Sequence, residues 1–144
     1  MTIPVDIEPA SSRIRDFKDL VVWKMARKLR ATIFTMCKRF PNSEAFELCS
    51  QMRRAAVSIT ANLAEGYGRF SYQENIQFCR QSRGSAYELR DHLTTALDAG
   101  YITAGQYEEL DLSAISVLKL INGYIRATKQ RKAQNLQASH HPAQ

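Results

Sequence analysis

The sequence predicts an all-α protein, an antiparallel up-down-up-down four-helix bundle. Three observations carry that reading. Apolar residues recur every three or four positions through four long segments, helix-boundary residues stand at the three breaks between them, and no stretch alternates apolar with polar residues as a strand would. With 44% apolar and 24% charged residues, six Gly and four Pro in 144 residues, the chain suits one domain with a real core and excludes collagen-like and low-complexity classes.

The first helix is expected near residues 17–39, where Val22, Ala26, Leu29, Ile33, Met36 and Phe40 line one face and Lys24, Arg27, Lys28, Lys38 and Arg39 fall opposite. Phe40-Pro41-Asn42 ends it. Asn42 or Ser43 then suits the cap of a second helix, near 44–65, whose early turns hold Glu44 and Glu47 at the positive end of the macrodipole. Its core stripe is Leu48, Cys49, Met52, Ala56, Ile59 and Leu63. Gly66 and Gly100 stand where a helix would finish in a left-handed residue. Ser71 to Glu74 and Thr103 to Gln106 match the capping box, which opens a third helix near 72–99 and a fourth near 104–130. Their stripes run through Cys79, Ala86, Leu89, Leu93 and Leu97, and through Leu110, Ala114, Val117, Ile121, Tyr124 and Thr128. Short links make such helices antiparallel neighbours. The bundle is expected over residues 16–130, between disordered tails at 1–15 and 131–144, the second rich in Gln, His and Ala.

The charge is uneven. Residues 13–39 carry +7 and residues 113–144 carry +5, against +6 for the whole chain. Basic ends point to an anionic partner, RNA or DNA being the commonest. The candidate nucleic-acid contacts are Lys24, Arg27, Lys28 and Arg30 on the first helix and Arg80, Arg83 and Arg90 on the third, where Tyr87 interrupts the basic line. Solvated faces with local pairing to Glu88 or Asp91 are the alternative.

More apolar residues exist than four stripes use. Trp23 and Phe34 project away from the first stripe, Val57 and Ala61 from the second, and Leu112 and Ile115 from the fourth, which points to homo-oligomer interfaces. Gln51, Arg54, Ser58, Asn62 and Glu65 form a polar ridge on the second helix, expected to lock neighbouring helices. Cys37, Cys49 and Cys79 read as small buried hydrophobes. No catalytic motif, phosphate loop or metal-ligand spacing occurs, so neither an enzyme nor a cofactor is expected. No segment reads as a signal or a membrane span, and the expected location is the cytoplasm.

Several runs carry a family resemblance: Asp19-Leu-Val-Val-Trp-Lys24, Phe40-Pro41, Gln51 to Ile59, Asn62-Leu-Ala-Glu-Gly66 with Gly68-Arg69, and Gly84-Ser85 with Glu88-Leu89. The chain resembles, over about residues 16–129, the bacterial four-helix-bundle proteins that include the large-subunit rRNA intervening-sequence proteins. Thr60-Ala61 replaces the Pro and Ser usual there, which implies a straighter second helix. The resemblance implies a homopentameric barrel. A related branch, the accessory variability determinants of diversity-generating retroelements, implies a reverse transcriptase and its RNA or DNA as partners. The expected function is a non-enzymatic, basic, oligomeric nucleic-acid-binding accessory protein, with a scaffold that binds only protein as the alternative.

Overall fold

In the computed structural model, which describes residues 13–41, 43 and 45–140, four α-helices follow a single 3-10 turn, Phe17–Asp19. They are α1 (Val21–Cys37), α2 (Phe46–Tyr67), α3 (Tyr72–Asp98) and α4 (Ala104–His140), and no strand occurs among the described residues. Each helix packs on two others: α1 on α2 and α4, and α3 on α2 and α4, so α1 faces α3, and α2 faces α4, across the diagonals. The bonds between α3 and α4 run in opposite directions along the two helices. Thus α3 residues 73, 83 and 90 meet α4 residues 132, 122 and 111, the antiparallel arrangement.

The core follows the four stripes. Ile33, Met52, Ile59, Leu63, Leu89, Leu93, Val117 and Ile121 are fully buried, and each such side chain contributes roughly 1.5–3 kcal/mol of burial free energy. Where a polar side chain enters the core it is bonded. The Ser82 hydroxyl donates to the Ile59 carbonyl of α2 at 2.8 Å, and Thr128 donates to Tyr124 at 2.8 Å.

The helix ends differ from expectation in instructive ways. Before α1, the Asp19 carboxylate accepts the backbone N–H groups of Arg15 and Asp16, which bends the chain into the 3-10 turn and delays the helix to Val21. α2 starts later than expected too, with Ala45 at its cap and no side-chain bond; Ser43 does not cap it, and Asn42 lies outside the described residues. Of the two expected capping boxes, the first forms by one bond and the second by both. Ser71 accepts the Glu74 amide at 3.0 Å, while Thr103 and Gln106 exchange both bonds of the capping box, at 2.8 and 3.1 Å. Gly100 closes α3 at φ +77°, with the Tyr101 amide on the Ala96 carbonyl and the Gly100 amide on Leu97, the Schellman pattern.

Gly66 does not end α2. The helix passes through it to Tyr67, and the glycine is buried where α3 crosses: a Cβ there would lie 2.8 Å from Asn75 Oδ1 and 2.9 Å from Phe78 Cβ. Its role is close helix approach rather than a left-handed turn. α4 also outruns its expected end near 130 and continues to His140 through the segment read as a tail. Ala, Gln, Lys and Arg dominate that segment, all good helix formers. Lys132 donates to Gln73 and Asn135 to the Tyr72 hydroxyl, tying these turns to the start of α3.

Candidate nucleic-acid interface

α1 turns its apolar stripe inward, and this leaves Lys24, Arg27 and Lys28 exposed on the outer side. None of the three meets a carboxylate among the described residues. The Arg27 guanidinium lies 5.7 Å from the Trp23 ring centre, a cation–π distance that leaves its N–H groups free to bind an anion. Arg30 is different. It is half-buried and donates to the Thr60 hydroxyl of α2 at 2.9 Å, so it serves the α1/α2 seam.

The expected line on α3 divides in the same way. Arg80 is exposed, whereas Arg83 is half-buried and donates to Asn122 Oδ1 of α4 at 3.0 Å. Arg90 is neutralised by Asp111, which accepts from it at 2.7 and 3.3 Å. That hydrogen-bonded carboxylate raises the Arg90 guanidinium pKa above its ordinary value. Tyr87 stays 54% exposed, with Arg90 5.7 Å from its ring. The seven candidate cations therefore form no single patch: Lys24, Arg27 and Lys28 share one face, Arg83 and Arg90 bond across the α3/α4 seam, Arg80 is exposed one turn before Arg83, and Arg30 fastens α1 to α2.

The polar ridge is structural in part. Ser58 and Ser85 share a 2.7 Å hydrogen bond across α2 and α3, and Asn62 donates to Ser58 at 2.9 and 3.0 Å on its backbone and side-chain oxygens. Glu65 pairs within its own helix turn region, with Arg69 at 2.6 Å, and Arg54 is exposed; neither fastens a neighbouring helix. All three thiols are free and buried. Burial pushes Cys79 up to about 12, and burial with the adjoining Cys49 pushes Cys37 up to about 12, so both stay protonated and poor as nucleophiles or ligands. Among the described residues no group of three or more His, Cys, Asp and Glu is placed to hold a metal ion.

The six residues expected at an oligomer interface also separate. Trp23, read as projecting outward, is instead only 7% exposed. The 3-10 turn folds Phe17 over it edge to face, with ring centres 5.2 Å apart, which a helical projection of α1 alone does not include. As the only tryptophan, it should emit at short wavelength and resist quenching by iodide; emission like that of indole in water would contradict this burial. Phe34 and Val57 remain 37% and 42% exposed, and Ala61 is exposed near them on α2. Leu112, 56% exposed, and half-buried Ile115 belong to α4, diagonal to α2.

The model of the 23S rRNA-intervening sequence proteins matches residues 18–123, from the 3-10 turn to the middle of α4. The chain belongs to that family. A crystal structure of a protein of unknown function from the S23 ribosomal protein family, from Bacteroides thetaiotaomicron VPI-5482, is similar to it, with a TM-score of 0.69 and 25% identity over 73% of this chain and 98% of that one. No curated protein matches the chain. No helix among the described residues is long and apolar enough to cross a membrane.

The α3/α4 seam holds residues that the sequence reading left unassigned. Arg126 and Lys129 are exposed on α4 beside Asn122, and Lys132 reaches across to Gln73 at 3.0 Å. The available signal was the absence of any Asp or Glu after Asp111. All three cations lie beyond the last residue of the family match.

Proposed function

We propose that this intervening-sequence family member is a non-enzymatic, basic nucleic-acid-binding protein that works as a ring-shaped homo-oligomer, the pentamer implied by its resemblance. The observation that carries the proposal is charge left uncompensated by the fold. Of twenty Lys and Arg, only Arg69 and Arg90 meet a carboxylate among the described residues. Exposed cations of this kind attract phosphates, release counterions and give salt-dependent, sequence-independent affinity. Repetition around a ring multiplies the contacts.

The test is fluorescence anisotropy with mixed RNA and DNA at low salt. Lys24→Glu, Arg27→Glu and Lys28→Glu together should weaken binding at least tenfold, since each lost phosphate contact removes close to one unit of log–log salt slope. Unchanged affinity would remove the α1 face from the interface.

The exposure of Phe34, Val57 and Leu112 favours a second reading, a scaffold that binds only protein. It keeps its partner when the basic face is reversed. Of the partners the resemblance implied, the family match carries the intervening-sequence branch and is silent on a reverse transcriptase; nucleic acid itself is the partner proposed here.

A further inference from the structure

Two hydrogen bonds fix the register of the α3/α4 seam. Lys132 donates to Gln73 Oε1 and Arg83 donates to Asn122 Oδ1, each at 3.0 Å. Ten residues separate the two bonds on either helix, a span of about 15 Å. Arg80 lies in that window on α3, and Arg126 and Lys129 lie in it on α4, all exposed. No Asp or Glu occurs between Glu74 and Glu88 of α3, or after Asp111 of α4.

The identity of the partners matters more than the number of cations. Arg83 and Lys132 are held by neutral amides, so they are oriented without being neutralised, in contrast to Arg90 on Asp111 and Arg69 on Glu65. The window is about two Debye lengths long at physiological salt, about 8 Å each, so each of the five like charges repels its nearer neighbours there. Such crowding lowers native stability unless an anion is present. No open aromatic face lies inside the window, because Tyr72 precedes Gln73, Phe78 is covered by Arg69 at 4.9 Å, and Tyr87 lies a turn beyond Arg83. Contacts there reach phosphates rather than bases.

We infer that the α3/α4 seam, with Arg80, Arg83, Arg126, Lys129 and Lys132, is a rail for the sugar-phosphate backbone of a nucleic-acid duplex. This rests on the nucleic-acid reading above and deepens it by placing the site and the substrate class. The decisive variant is the double change Gln73→Glu with Asn122→Asp, which keeps every cation and the cross-helix bonds but turns both holders into carboxylates. Anisotropy of the full chain with fluorescein-labelled RNA and DNA duplexes of one sequence, across a salt series, is the readout. The double variant should melt no lower than the unaltered chain. It should bind duplex about 50-fold more weakly near 0.1 M salt, with a log–log slope shallower by about 2 units. Unchanged duplex affinity in the double variant, with loss in the α1 charge-reversal variant, overturns the rail and leaves the functional reading standing. Absence of duplex binding by the unaltered chain, with single strands still bound, overturns the rail alone, and absence of binding to either overturns both. Binding to phosphatidylserine vesicles with no duplex bound overturns the rail in favour of a membrane surface.

Discussion

Gly66→Val is expected to lower the melting temperature by about 10 °C, while Gly84→Ala raises it by about 2–4 °C. Both glycines lie inside helices, and helix propensity alone favours replacing either. Their surroundings decide the sign. At position 66 a Cβ meets Phe78 Cβ at 2.9 Å, an atom fixed to the α3 backbone, so a branched side chain forces α2 and α3 apart. Overpacking of this kind costs about 3 kcal/mol. At position 84 nothing lies within 4 Å, and alanine acts mainly by restricting the unfolded chain, a gain of about 0.5–1 kcal/mol. Thermal melts by circular dichroism check both, and equal shifts for the two variants would contradict the close α2/α3 approach.

Phe34→Asp combined with Val57→Asp should convert a multimer into a single chain of 16.4 kDa, measured by light scattering after gel filtration. The Arg30 to Thr60 bond brings α1 and α2 together at the level of these two side chains, with Ala61 beside them, so they share one seam. Leu112 and Ile115 occupy a different helix, diagonal to α2. Two unlike apolar faces on different helices suit head-to-tail contacts that close into a ring, rather than the self-complementary patch of a two-fold dimer. Replacing two buried apolar contacts by carboxylates in each interface removes apolar burial and adds like charge repeatedly around the ring. A mass of 16.4 kDa for the unaltered chain would remove the oligomer from the account.

Helix phase was legible in the sequence because it is a local property. Val22, Ala26, Leu29 and Ile33 are buried together for the same geometric reason that they recur every three or four residues. Gly100 was legible too, since a left-handed helix end leaves a glycine at a break. Gly66 resembles it in sequence, but its requirement comes from α3, and one-dimensional spacing carries no record of a crossing helix. Trp23 misled for a related reason: the side chain that covers it, Phe17, precedes the helix whose projection placed it outward. The end of α4 is polar and so resembles a tail in sequence, although the same residues favour helix and find Tyr72 and Gln73 to hold them. Of the candidate site, the outward position of Lys24, Arg27 and Lys28 followed from periodicity. What sequence could not disclose is which cations have partners on another helix. Arg30, Arg83 and Arg90 look alike in the chain, yet a hydroxyl, an amide and a carboxylate receive them, and only the last cancels charge.

The salt dependence of duplex binding by the unaltered chain tests the account most directly. Cations that the fold orients but does not neutralise predict tight binding near 50 mM salt and a log–log slope several units steep, about 0.9 for each phosphate contacted. A slope near zero, or no binding at that salt, would contradict the claim that the unpaired charge of this bundle is its working surface.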